Sequence, residues 1–187
     1  ISAVLAILMM LGTVPATATD MATASVQGKV TAPAGVNLAG ISVSAMTTTY
    51  QMQVGQSSVG ADGSYKITGL PAGSYKLNFS GGNTGAQDQW YKNAASYETA
   101  TAVTVTAGQA LTGINPTLVK GATISGKLTI PAGVSSFNLS VSASSAASRR
   151  QEGQSEVGAD GSYKINGLPA GSYKLNFSGW NTGLQDQ

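Results

Sequence analysis

The sequence predicts an all-β chain of tandem seven-strand antiparallel β-sandwiches, and three observations carry that prediction. Apolar and polar residues alternate at period two over short stretches, as a half-buried antiparallel sheet requires. Clusters of Gly, Pro and Asp-Gly separate these stretches at the regular short intervals of sandwich proteins. The whole pattern then recurs at an offset of 98 residues. No stretch has apolar residues at helical spacing between capping residues.

Taken in order, Val26, Gly28 and Val30 share one face of a first strand, with Gln27, Lys29 and Thr31 on the other. Its copy repeats the parity with Ile124, Gly126, Leu128 and Ile130. Ile41, Val43 and Ala45 alternate with Ser42 and Ser44, and a third strand falls near residues 51–59. Tyr65 and Ile67 alternate with Ser64 and Lys66, then Tyr75, Leu77 and Phe79 with Lys76, Asn78 and Ser80. Val103 and Val105 mark a sixth strand, and Ile114 with Leu118 a seventh. Between them, Ala61-Asp62-Gly63 reads as a tight hairpin, because Gly supplies a positive φ without steric cost. Leu70-Pro71-Ala72-Gly73 reads as a second turn, placing Lys66 and Lys76 outward on adjacent strands of one hairpin.

The repeat sets the domain organisation. Aligning residues 24–89 with 122–187 gives 44 identities in 66 positions without an insertion. A period near a hundred residues is domain-sized, well above the ~20–50 residues of solenoid repeats. Residues 25–121 form repeat one, and residues 122–187 form repeat two, in which residues 90–121 have no counterpart. Residues 1–24 read as a secretory leader: an uncharged apolar run from Ile1 to Gly12 precedes small-x-small sites that place cleavage after Ala18 or Ala24. The run is too short to span a bilayer as a helix, so no stable membrane span is expected. No Met or basic segment precedes Ile1, so the chain is expected to begin inside the leader and to be part of a longer protein.

Composition narrows function further. The 187 residues contain no His and no Cys, with 10 basic and 8 acidic side chains. That removes Ser-His and Cys-His nucleophiles, the usual zinc ligands and any disulfide framework. A thiol-free chain is indifferent to the redox poise outside the membrane, which suits export. Arg149 and Arg150 are the only arginines. The basic stripe that neutralises phosphates is missing, so no nucleic-acid partner is expected.

The order Gly28-Lys29-Val30-Thr31, then Asp62-Gly63-Ser64-Tyr65-Lys66-Ile67, Gly69-Leu70-Pro71-Ala72-Gly73-Ser74-Tyr75-Lys76-Leu77-Asn78-Phe79, Gln89-Trp90-Tyr91 and Val103-Thr104-Val105-Thr106-Ala107-Gly108, resembles the carboxypeptidase regulatory-like domains. The resemblance covers all of repeat one and about two-thirds of repeat two. It implies a transthyretin-like (prealbumin-like) seven-strand sandwich, also grouped with the carbohydrate-binding-like fold and related to the B-type repeats of bacterial collagen adhesins. Such modules are attached to peptidases, glycosidases and adhesins alike, so the fold alone does not assign a function.

Candidate sites follow, each with its plainer alternative. Trp90, Tyr91 and Tyr97 cluster in the irregular stretch 81–100, and Trp180 stands where repeat one has Gly82. Exposed rings of this kind stack on sugar faces. The alternative is that Trp90 and Tyr91 cover the open end of the sandwich; Trp180 is the better contact candidate. The adhesin relatives imply an internal Lys–Asn isopeptide, for which Lys29, Asn115 and Glu98 are the only plausible set, but their parity places them on the solvent side. Asp62-Gly63 and Asp160-Gly161 lack the carboxylate density of a calcium loop and are read as turns. Asp88 and Glu98 lack the cleft a glycosidase pair requires. No catalytic, cofactor-binding or metal residue is assigned.

The expected function is a non-catalytic bacterial module, secreted or at the cell surface, acting as a spacer or adhesive element toward a polysaccharide or cell-wall polymer. The alternative is an accessory carbohydrate-binding-like module of an exported peptidase or glycosidase whose catalytic domain lies beyond Gln187. Repeat two, without counterparts of the last strands, is expected to leave Ile124, Leu128, Tyr173, Leu175 and Phe177 incompletely covered.

Overall fold

The computed structural model describes residues 22–130 and 136–179. The leader before residue 22 and Trp180 therefore lie outside the described residues. Repeat one contains β1 (Ala24–Lys29), β2 (Ser42–Thr47), β3 (Gln53–Ser58), β4 (Ser64–Leu70), β5 (Gly73–Ser80), β6 (Gln89–Trp90), β7 (Ala102–Val105) and β8 (Ala110–Leu111). Repeat two contains β9 (Ala122–Lys127), β10 (Leu139–Ser145), β11 (Gln151–Glu156), β12 (Ser162–Leu168) and β13 (Tyr173–Gly179).

Two sheets face each other in repeat one. The smaller has the order β4-β1-β8; the larger has the order β3-β2-β5-β6, with β7 also paired to β5. The outer edge of β5 is shared: Gly73 to Lys76 pair with β7, and Asn78 and Phe79 pair with β6. Period-two alternation makes this layering possible, since each strand sends every second side chain inward. Val26, Ile67, Val43, Ala45, Leu77 and Phe79 are fully buried in one cluster between the sheets. Burying each large side chain of this kind contributes about 1.5–3 kcal/mol. Tyr65 meets Phe79 edge-to-face, with centroids 5.8 Å apart and rings at 81°. Repeat two reproduces the pair with Tyr163 and Phe177 at 5.7 Å and 78°.

Three details differ from the sequence reading. The Asp62-Gly63 and Pro71-Ala72-Gly73 turns are not hairpins within one sheet, because β4 belongs to the small sheet while β3 and β5 belong to the large one. Both turns are corners that carry the chain between layers, although Gly63 does take the expected positive φ of 87°. Lys66 and Lys76 accordingly stand on different sheets rather than side by side. The seventh strand is also displaced. Ala110 and Leu111 pair with β1 in parallel, while Ile114 and Leu118 lie in an extended, irregular segment that continues along β1 through the Thr31–Thr117 bridge. That segment is buried at Ile114 and Leu118, so its inward parity is as read.

Repeat two has the sheets β12-β9 and β11-β10-β13. Its buried core is Leu139, Val141, Ala143, Val157, Ile165 and Leu168. Ile124, Leu128, Tyr173, Leu175 and Phe177 are only half-buried, whereas their counterparts Val26, Val30, Tyr75, Leu77 and Phe79 are buried. Among the described residues, no helix is long and apolar enough to cross a membrane.

Candidate functional site

The outward residues of the large sheet form a polar face. Ser42 and Ser44 of β2 stand beside Ser80 and Asn78 of β5, which they pair with directly. Repeat two presents Ser140 and Ser142 beside Ser178 and Asn176, and the hydroxyls of Ser140 and Ser178 are 3.0 Å apart. Ser74 and Thr104 similarly share a hydrogen bond of 2.8 Å where β5 meets β7.

At one end of this face sits the aromatic group that the sequence singled out. Trp90 enters β6 opposite Asn78, so its ring belongs to the outer side of the sheet. Tyr97, from the following loop, meets Trp90 edge-to-face with centroids 5.3 Å apart. The Tyr97 hydroxyl donates to the Thr47 carbonyl at 2.8 Å, tying the loop to the end of β2. The Lys76 ammonium lies 4.2 Å from the centre of the Tyr97 ring and donates to the Tyr97 carbonyl at 2.6 Å. Tyr97 thus has its hydroxyl, carbonyl and ring engaged by the protein itself. Tyr91 points the other way and packs against the core as a partly buried side chain. The structure brings Trp90 and Tyr97 together and separates Tyr91 from them; Trp180 lies outside the described residues.

The carboxylates have local tasks. Asp88 accepts from the Ser80 hydroxyl at 3.0 Å and from the Gly81 backbone N–H at 2.7 Å, closing the end of β5. Glu98 is exposed, and its own backbone N–H together with the Ser96 hydroxyl holds its carboxyl below the usual range. Asp62 accepts from the hydroxyl and the N–H of Ser64, and Asp160 does the same with Ser162. These bonds lower both carboxyl pKa values, the hydroxyl contributing most. Both are side-chain turns of the Asx type. Among the described residues, no three Asp, Glu, His or Cys side chains gather closely enough to hold a metal ion.

Of the isopeptide set, Asn115 lies next to Lys29, but its side-chain oxygen accepts the Lys29 backbone N–H at 2.8 Å. Both side chains are exposed. Glu98 is instead beside Lys76, its carbonyl 3.4 Å from that ammonium, so it does not join the other two.

Two features escaped the sequence reading. Gln89 is a buried polar side chain at 5% exposure: its carbonyl oxygen accepts from Val119 N–H at 3.1 Å, and its amide donates to Thr117 O and Asn93 Oδ1. It clamps β6 to the closing segment. The second is an open groove of about 540 Å³ where the edge of the small sheet meets β3 of the large one, with Gln27, Ser57, Ser58, Ser64, Lys66 and Thr112 on its walls. No motif marks it, because its residues come from four separate segments.

The fold and these surfaces define a tandem two-sheet β-sandwich protein. The chain belongs to the carboxypeptidase regulatory-like domain family, whose sequence profile matches residues 25–119. No curated protein matches it. Among solved structures it is similar to a streptococcal ancillary pilin, with 14% identity and a TM-score of 0.42 over 88% of this chain and 55% of that one. It is also similar to a minor pilin of Streptococcus agalactiae (17% identity, TM-score 0.40, 60% of this chain and 49% of that one). The Bacillus anthracis TIE protein matches at 15% identity and a TM-score of 0.38, over 83% of this chain and 28% of that one. The chain therefore spans about half the length of either pilin, or less.

Proposed function

We propose that the chain is a non-catalytic spacer and adhesive module, secreted or displayed at the cell surface, that presents repeated polar sheet faces to an extracellular polysaccharide. The observation that carries this reading is the repetition itself. Ser42, Ser44, Asn78 and Ser80 recur as Ser140, Ser142, Asn176 and Ser178 at the same places on the equivalent sheet of repeat two. A polyhydroxylated polymer is the ligand class that matches uncharged hydroxyl and amide groups on a flat surface. Trp90, half-buried on the outer side of that sheet, supplies an apolar ring of the kind that stacks on sugars. Catalysis has little to draw on: the sequence holds no His or Cys, and Asp62, Asp88 and Asp160 are committed to backbone and hydroxyl partners.

The test is co-sedimentation of the chain with insoluble cellulose, chitin and peptidoglycan, alongside Asn78→Ala, Trp90→Ala and Trp180→Ala. Binding to at least one polymer, weakened about tenfold by loss of a contact worth ~1.4 kcal/mol, is the expected result. No binding to any polymer, or release of soluble fragments from one of them, overturns the proposal.

A further inference from the structure

We propose that the Gly82–Ala86 turn of repeat one and a backbone notch at Gly167 of repeat two form a docking joint that fixes the two sandwiches as one rigid unit. The partner that each surface fits is an adjacent repeat of this same kind. The proposal does not depend on the chain binding a polymer.

The connection between the repeats contains almost no free chain. On the repeat-one side, Gln87 N–H donates to Val119 O at 2.9 Å, Ala86 bridges to Lys120, and Gly121 N–H donates to Gly85 O at 2.9 Å. On the repeat-two side, Ala122 already pairs with Leu168 at the start of β9. Gly121 is the one residue between these ladders, and its N–H is bound. Two domains in one chain normally move relative to each other unless a substantial interface holds them. Here the freedom that a linker would provide is absent.

The joint closes by contact between backbones. A Cβ on Gly121 would lie 2.3 Å from the Gly167 carbonyl carbon. A Cβ on Gly167 would lie 2.4 Å from the Ala86 carbonyl oxygen and 3.0 Å from that of Gly82. Backbone surfaces dock without ordering long side chains, so the contact loses little rotamer entropy.

Repeat one identifies the notch as an interface and not a consequence of the local turn. Gly69 is the counterpart of Gly167 and sits at the same register shift, with φ of 76° against 79°. A Cβ on Gly69 would meet nothing within 4 Å. Positive φ accounts for glycine at both positions; only at Gly167 does another repeat press against it.

The pair of glycines supplies a matched test. The sequence has no Cys, so spin labels can be placed on Ala61→Cys and Ala159→Cys, the equivalent exposed turns of the two repeats. Pulsed electron resonance on the full chain should give one narrow distance distribution. Gly167→Ala should broaden it at least about twofold by freeing the domains to move. Gly69→Ala carries the same φ strain without the contact and should leave the width unchanged. A broad distribution in the parent pair, or equal widths in the two glycine variants, overturns the proposal. If Gly167→Ala prevents repeat two from folding, amide exchange at Gly121 in the unsubstituted chain decides. Slow exchange is expected, and exchange at the rate of an open amide overturns it.

Discussion

The Tyr65 hydroxyl donates to the Ile114 carbonyl at 2.8 Å, across the top of Gly28. A Cβ on Gly28 would lie 1.9 Å from that same carbonyl oxygen, so the closing segment runs directly over the β1 backbone. In repeat two the Tyr163 hydroxyl stands 2.5 Å from where a Gly126 Cβ would be. The Tyr65–Ile114 pair therefore marks where the closing segment seals the sandwich of repeat one.

Tyr65→Phe should destabilise repeat one by about 1–2 kcal/mol, because a buried carbonyl loses its donor. Gly28→Ala should cost more, since the Ile114 backbone has to move away and its burial is lost with it. Urea unfolding followed by tryptophan fluorescence measures both, through Trp90 in a Trp180→Phe background. Equal midpoints for the parent and Gly28→Ala would contradict the close approach.

Burial raises the Tyr65 pKa well above the ordinary tyrosine value, with a smaller contribution from Tyr91, and burial also raises Tyr75 and Tyr173. A raised folded-state pKa means the folded chain holds its proton more tightly. The associated stability is complete below the unfolded value of ~10 and is lost as pH climbs toward the folded value. Asp62, Asp160 and Glu98 have lowered values, so their contribution is present above the unfolded carboxylate range and fades only as pH falls through the folded values. Thermal melts should hence be flat across neutral pH and fall at both extremes. Tyr65→Phe should flatten the alkaline side in particular.

Repeat two should open before repeat one. Tyr173, Leu175 and Phe177 are half-buried where Tyr75, Leu77 and Phe79 are buried, so each contributes less apolar burial. Hydrogen exchange should show weaker protection in β13 than in β5. Equal protection in the two strands would contradict this.

Processing of an exported chain should occur after Ala18 and not after Ala24. Ala24 is 1% exposed and pairs with Leu70, and Ala22 O accepts the Gly108 N–H at 3.1 Å. Cleavage after Ala24 would remove both contacts from the first strand. Mass spectrometry of the exported chain is expected to show Thr19 as the first residue, and a mature chain beginning at Ser25 would refute the assignment.

The sequence by itself determined the all-β character, the tandem repeat and which side chains face inward, because inward parity is a local property of a period-two chain. Val26, Val43, Leu77 and Phe79 could be assigned to the core from spacing alone. The Asp62 and Asp160 turns were equally legible, since the bond from each carboxylate to the serine two residues on is local. Which sheet a strand joins is not local. Alternation reads the same whether β4 continues beside β5 or crosses to β1, so spacing alone predicts a hairpin at Pro71 with Lys66 beside Lys76, where the fold has a corner between sheets. Tertiary structure alone decided that Trp90 and Tyr97 meet while Tyr91 turns inward, and that Gln89 clamps Val119 from 30 residues away. It also decided that Gly167 is pressed by a neighbouring repeat while Gly69 is not. Two glycines in near-identical sequence differ only in what the fold brings within reach of them.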